Sequence, residues 1–544
     1  MFAAFEAQSD GTEPMLKRLT LTLLALALAL LCPATAAGLE ELELELGLFN
    51  RFTLRRNHVE RMLRYSEPAA AFDGRSYLAP RVDQLYYSFL VRAGLYLEPT
   101  RWLGVGLTVD SGEVVPTGQL PAEGRVPLSS GLSAVLEDPP VLTTEDRRRV
   151  TASGQPIGDE ARSTFFIRQA FVRLAAPQTA WLTLRAGRIA TEAATNLVYD
   201  DFGLGARLEA DLERLRDWPI RVTAQALLPT RSWERGLRSP LVELRLDYVF
   251  STLLTMVESV GLTVAYFHDG DGNFGQLFHP YLSEAAVRTQ PTMDPADHRD
   301  LFGVALATTM PSRGDVAWIG LDGSKLLGDL LISGTVLLEL GHVSLDNPFF
   351  QLVRMLPPEK LPRVPRDQTI ELDTLGVAAD LSLRYQITES ISFGGFGLYL
   401  SGEQNPFMAD GDLAGRFNSF LGVVPYLTRT NLFFSGGMNE TFSGRQVSTA
   451  GINGRGVGAA GATFSWDITR AASCGSRTTV LFSPVPSMSG GQLYGVEVDI
   501  EGSYQLLDYL KLSMEYDVMV MGSFFPTRGT AHKLLVGLDL TYQL

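Results

Sequence analysis

The sequence predicts an all-β protein, a transmembrane up-and-down antiparallel β-barrel of about eighteen strands within a range of about sixteen to twenty. Three observations predict it. Ribbons of alternating apolar and polar residues recur from Glu41 to Leu544, and successive side chains of a strand point to opposite faces, so each ribbon has one greasy and one wet side. After residue 37 no apolar run reaches the roughly 20 residues that a membrane helix needs. Mean hydropathy is only +0.07 in a chain with 29 Phe, 17 Tyr and 52 Gly, as expected when only alternate residues face lipid.

The first ribbon, Glu41 to Leu54, sets Leu42, Leu44, Leu46 and Leu48 against Glu41, Glu43 and Glu45. Leu and Glu also favour helices, but strict alternation would spread these leucines all round a helix, so strand is the reading. Leu85 to Leu97 follows, then the turn Glu98-Pro99-Thr100-Arg101, then Trp102 to Asp110 with Leu103, Val105, Leu107 and Val109 on one face. Ribbon, short turn, ribbon is a hairpin. Phe202 to Asp211, Ile220 to Ala226 and Val242 to Tyr248 alternate in the same way. Further ribbons are expected at 260–266, 302–306, 330–340, 375–385, 494–504, 510–520 and 534–544. In Ile391 to Leu400 the apolar parity flips at Gly394-Gly395, which predicts a bulge. Long Pro/Gly-marked polar segments at 111–162, 268–300, 344–369 and 402–455 alternate with short connections, so the long loops share one rim.

At the N-terminal end, Met15-Leu16-Lys17-Arg18 precedes the apolar run Leu19–Leu31 and an A-x-A site at Ala34-Thr35-Ala36. This reads as a cleaved signal peptide over residues 1–36, with Met15 as the expected start. Leu31 is too bulky for a lipobox at Cys32. Cys474 is then the one cysteine left, and no intramolecular disulfide is expected. The final strand places Val536, Leu538, Leu540, Tyr542 and Leu544 on one parity and Gly537, Asp539, Thr541 and Gln543 on the other. Its end resembles the C-terminal assembly signal of bacterial outer-membrane barrels, with Leu where Phe or Trp is usual. Residues 37–544 are expected to form a single barrel in the bacterial outer membrane. The expected partners are outer-membrane lipid, the barrel-assembly machinery acting on the C-terminal strand, and periplasmic export or envelope proteins. A net charge of −15 argues against nucleic acid.

Signals of chemistry are weak. Gly456 to Gly461 matches G-x-G-x-x-G, but Ala462, Phe464 and Trp466 continue a ribbon where a nucleotide site needs a helix. Asp269 to Asn273 imitates a calcium loop, yet Phe274 and Pro280 stand where an EF-hand needs Gly and Glu. The six histidines (58, 268, 279, 298, 342 and 532) show no i, i+4 pairing. No catalytic residue, cofactor or metal ligand is assigned.

Arg168-Gln169-Ala170-Phe171-Val172-Arg173-Leu174, followed by Leu184-Arg185-Ala186-Gly187-Arg188, resembles the alginate-export family of outer-membrane barrels, as does the tail from Tyr494 to Phe525. That resemblance implies an eighteen-stranded barrel whose arginine-lined constriction passes an anionic polysaccharide, with Arg168 and Arg188 as pore arginines. Arg188 shares the parity of Leu182, Leu184 and Ala186, so it faces inward only through a bulge or a strand end.

On the polar parity, arginines gather early (Arg185, Arg207, Arg221) and carboxylates late (Glu497, Asp499, Glu501, Glu515, Asp517). Two readings stand: a solvated lumen, or cationic and anionic walls facing each other across a narrow pore. The expected function is a non-enzymatic channel for solutes or anionic polysaccharide. A surface adhesion or structural barrel working through its loops and a transporter of hydrophobic substrates are the alternatives; the first would not conduct, and the second needs an apolar interior.

Overall fold

The computed structural model describes residues 41–58, 82–116, 166–176, 181–229, 239–251, 257–270, 274, 312–347, 350, 367–404, 415–423, 427–434, 451, 454–487, 490–525 and 528–543. Residues 1–36 and the ribbon expected at 302–306 lie outside them. Before the in-folded segment the strands are β1 (Glu41–His58), β2 (Val82–Thr100), β3 (Leu103–Pro116), β4 (Phe166–Ala175), β5 (Leu182–Ala193), β6 (Tyr199–Asp211), β7 (Ile220–Pro229), β8 (Leu241–Ser251), β9 (Val257–Asp269), β10 (Ser312–Leu327), β11 (Leu330–Asp346), β12 (Thr369–Thr388) and β13 (Ile391–Leu400). After it come β15 (Val457–Asp467), β16 (Ala472–Phe482), β17 (Leu493–Leu507), β18 (Leu510–Met521) and β19 (Thr530–Gln543). Between them lies β14, the two residues Arg416–Phe417.

Each wall strand pairs antiparallel with its neighbour in sequence, β13 pairs with β15, and β19 closes on β1 from Glu45↔Gln543 to Arg56↔His532. β14 pairs parallel with β12 and is not part of the ring. The wall is therefore a closed antiparallel barrel of eighteen strands, with no edge left to present unpaired backbone to lipid. Both ends of the wall meet on the rim that carries the short turns. One of these turns holds a five-residue helix, α1 (Leu212–Arg216), whose first turn Asp211 caps and which ends at Asp217 with φ 56°.

Alternation decides which face is wet. Leu46, Leu48, Val91, Val105, Leu208, Leu244, Val264, Leu338, Val377, Met514 and Leu538 all point outward and are exposed, giving a continuous apolar belt. Trp102, Trp218, Tyr248, Tyr385, Trp466, Tyr504, Tyr509 and Tyr542 ring its short-turn edge, where amphipathic rings suit the membrane interface.

β13 corrects one expectation. It pairs with β15 in unbroken register, Ile391↔Trp466 through Leu400↔Val457, so there is no bulge at Gly394-Gly395. Phe393 and Tyr399 point outward, whereas Phe396, Leu398 and Leu400 are buried inside. The apolar parity flips because a chain segment packs against the inner wall there. G-x-G-x-x-G lies at the start of β15, an antiparallel strand. Asp269 is buried and accepts bonds from Phe274 N (3.0 Å) and Ser312 Oγ (2.5 Å).

Candidate functional site

Two segments turn into the barrel. The first is the β5–β6 turn, where Ala194 (φ 46°) and Thr195 (φ 65°) occupy the left-handed region without glycine. Such strain persists only where surroundings over-determine it. Here Glu243 Oε1 accepts the Ala194 N–H at 2.8 Å, and Gln225, itself bonded to Glu243, donates to Glu192 O at 2.8 Å. Leu197, Val198 and Tyr199 are consequently buried.

The second is the 415–434 segment between β13 and β15. β14 continues the edge of β12 beyond the end of β13, and the chain then crosses inward. Leu421 N donates to Glu339 Oε2 at 2.5 Å, and Trp318 Nε1 donates to Leu421 O at 3.1 Å. Val423 N reaches Val198 O at 2.9 Å, which joins the two inward segments. Returning, Arg429 is held by both oxygens of Asp380 (2.5 and 2.6 Å) with its guanidinium 5.3 Å from the Phe396 ring centre. Arg477 donates to Thr428 O at 2.9 Å. The N–H groups of Leu432 and Phe433 are then accepted by Glu497 at 2.6 and 2.9 Å.

A wall of alternating residues can seat a loop this way only where the loop's backbone donors meet acceptors inside. Glu339, Glu497 and Asp499 supply those acceptors, and Asp517 accepts from the Asn431 side-chain amide, so these carboxylates are buried beneath the segment. One glycine makes the close approach possible. A Cβ on Gly376 would lie 2.8 Å from Phe420 Cα and 2.6 Å from Glu339 Oε2. Gly376→Val is expected to push the segment off the wall, at about 1–3 kcal/mol of overpacking. In planar bilayers single-channel conductance should rise while the barrel stays heat-modifiable; an unchanged conductance would show that the segment does not limit the pore.

Apolar side chains fill the space under both segments, among them Trp318, Phe267, Leu372, Phe420, Phe433 and Tyr494. Among the described residues no segment covers the inner face of β4–β6 at Arg185, which is exposed. There Arg173, Arg185 and Arg207 stand in direct cross-strand register, about 5 Å apart from strand to strand. Like charges directly opposite each other are unfavourable, and the flanking pair are compensated: Arg173 is ion-paired with Glu98, and Arg207 Nε lies 2.7 Å from Glu209 Oε1. Arg185, between them, is exposed and has no carboxylate partner among the described residues.

The expected site residues fall into four groups. Arg185, Arg207 and Arg221 lie on the inner face, Arg221 3.8 Å from Asp211. Arg168 is the extra residue of a bulge opposite Thr108-Val109; its NH1 lies 2.6 Å from Asp110 and its guanidinium 4.5 Å from the Phe202 ring centre. Arg188 is on the outer parity, in register with Ala170 and Leu204, and its Nε donates to Arg168 O at 3.1 Å. No bulge in β5 turns it inward, so the position implied for it in a pore is not the one it holds. Gly187 of the same motif has φ 131°, and a Cβ there would lie 2.9 Å from Phe171 Cα, which gives that glycine a backbone role. Of the late carboxylates, Glu501 is exposed inside, while Glu497, Asp499, Glu515 and Asp517 are buried. An anionic wall facing the cationic one across water is therefore not what four of these five form.

Arg51, paired with Asp539, and Arg92, 2.9 Å from Asp110, extend the basic face on β1 and β2. Both sit on the polar parity of ribbons identified in sequence, which is the signal that marks them. Nothing local in 415–434 marks it as entering the lumen except the parity switch in β13.

A closed, even-stranded barrel with both wall ends on the short-turn rim, an apolar belt and an aromatic girdle is the construction of bacterial outer-membrane barrels, and this protein is one. No protein-family model matches the chain, and no curated protein matches it. Solved structures are similar in outline. OccK11 (OpdR) of Pseudomonas aeruginosa has 13% identity over 93% of this chain and 97% of its own, with a TM-score of 0.44. The outer membrane protein opdK of the same organism has 11% identity over 93% and 100%, with a TM-score of 0.44. OccAB1 of Acinetobacter baumannii has 10% identity over 92% and 97%, with a TM-score of 0.46. None of the three is named as an alginate exporter, and at these values the likeness carries no argument about solute.

Proposed function

We propose that the protein is a diffusion channel of the bacterial outer membrane that passes small anionic solutes, with no chemistry of its own. The observation that carries this reading is the Arg173–Arg185–Arg207 row on the wall that the in-folded segments leave open, with an uncompensated guanidinium at its centre. Guanidinium stays charged at all physiological pH and presents its donors in one plane, which suits a carboxylate. The segments that narrow the lumen favour small solutes over a polysaccharide chain. A hydrophobic-substrate transporter would place apolar side chains along its open path, and here the apolar residues are packed beneath the segments.

Liposome swelling tests this with solutes of equal size. A monocarboxylate sugar acid is expected to enter proteoliposomes faster than the corresponding neutral sugar. Equal rates, or no swelling with a folded barrel, would refute the proposal; the second result would favour a structural barrel.

A further inference from the structure

Where the 415–434 segment crosses β10–β12 it rests on one acid, Glu339, which is 0% exposed. Its cross-strand neighbours are Trp318 on β10 and Gly376 on β12. Oε2 accepts the Leu421 N–H at 2.5 Å. Oε1 is buried with no hydrogen-bond partner, and Thr374 Oγ1, within reach of the carboxyl, is buried and likewise unpartnered.

No cation stands beside this carboxyl among the described residues. Register places Trp318 and Gly320 next to it on β10, Thr374, Gly376 and Ala378 on β12, and Leu337 and Gly341 on β11 itself. Ser419, Phe420 and Leu421 belong to the covering segment. None of these side chains is ionisable. The inward charges further along the same strands are spoken for or distant: Asp322 is paired with Arg245, Asp380 with Arg429, and Arg384 is exposed near the short-turn end. Glu339 differs in this from Asp380, its neighbour beneath the segment.

The two forms of the carboxyl suit the docked position unequally. Sealed from water with one N–H donor, an ionised carboxylate is strongly unfavourable. The neutral acid keeps its carbonyl oxygen for Leu421 and gains an O–H that can donate to Thr374 Oγ1, so both buried oxygens find a partner. Lifting Leu421 away admits water, which solvates the ionised form.

We infer that Glu339 is a proton-operated latch on the in-folded segment, docked while its carboxyl is neutral and released when the carboxyl ionises. By linkage, acid favours the docked segment and alkali its release. Because Val423 N is bonded to Val198 O, release also frees the first in-folded segment. Both then withdraw from the lumen, and the pore widens as pH rises.

The test is single-channel recording from the full-length folded barrel between about pH 5 and about pH 10, a range that spans the titration of buried carboxyls. In wild type the ratio of wide to narrow conductance levels is expected to rise with pH. Its slope should reach up to about tenfold per pH unit, that of one proton. Glu339→Gln keeps an oxygen for the Leu421 N–H and never ionises, so it should hold the narrow level at every pH. Glu497, Asp499 and Asp517, which hold the returning limb, are the same in both proteins, so their titration is common to the two. A conducting wild type with no pH response, or a rise of equal slope in Glu339→Gln, would overturn the latch. The latch rests on the channel reading, and the two fail differently. No conduction at any pH removes both, whereas conduction indifferent to pH removes the latch alone.

Discussion

Leu538→Arg is expected to block barrel assembly. Leu538 lies on the outer face of the closing strand, in register with Asn50 on β1 and Leu512 on β18, and is 41% exposed to what the belt places in lipid. A guanidinium near the midplane costs about 2–4 kcal/mol, on the one seam that closes the ring. The next residue makes the comparison. On parity alone Asp539→Arg would be tolerated, since Asp539 faces inward. Its carboxylate is, however, held by both guanidinium nitrogens of Arg51, which is 5% exposed. Arginine there would set two guanidiniums together in a buried place, so the tolerated substitution is Asp539→Asn, which retains an acceptor. Heat-modifiable folded barrel should form from Asp539→Asn and not from Leu538→Arg. Equal yields from both would show the face assignment to be wrong.

Arg185→Glu is expected to have the largest effect on selectivity. It changes the local charge by two units at the centre of the arginine row and, unlike a change at Arg173 or Arg207, orphans no carboxylate. The zero-current potential should move toward cation preference, and Arg207→Glu added to it should move it further. The shift should shrink with salt, because the Debye length falls from about 10 Å at 0.1 M to about 3 Å at 1 M. An unchanged potential at low salt, in a conducting barrel, would place Arg185 in a wide vestibule where water and counter-ions screen it from passing solutes.

Much of the wall was legible because a membrane barrel enforces a period of two. The parity of Leu42–Leu48, Val242–Tyr248 and Val536–Tyr542 is the parity the strands adopt, since water and lipid sort the faces directly. The interior was less legible, because what a polar inward residue meets depends on chain far away in sequence. Glu497 and Asp517 read as solvated lumen charges, yet they accept from or contact residues 431–433, which alternation cannot foresee. Gly394-Gly395 read as a bulge because an apolar inner parity has two causes, a register slip or a covering segment, and local pattern does not separate them. Arg188 was drawn inward by a motif, whereas its strand, with no bulge, kept it outward. Buried Glu339 and Glu243 follow the same rule: each is an inward-facing acid whose partner is a backbone N–H of an inward segment.

An open path along the arginine row, with Glu497, Asp499, Glu515 and Asp517 buried, predicts the opposite of what the net charge of −15 alone would suggest. The zero-current potential of the wild-type channel across a KCl gradient at low ionic strength tests it most directly. The arrangement of charges described here predicts preference for chloride, weakening as salt rises; preference for potassium from a single folded barrel would contradict it.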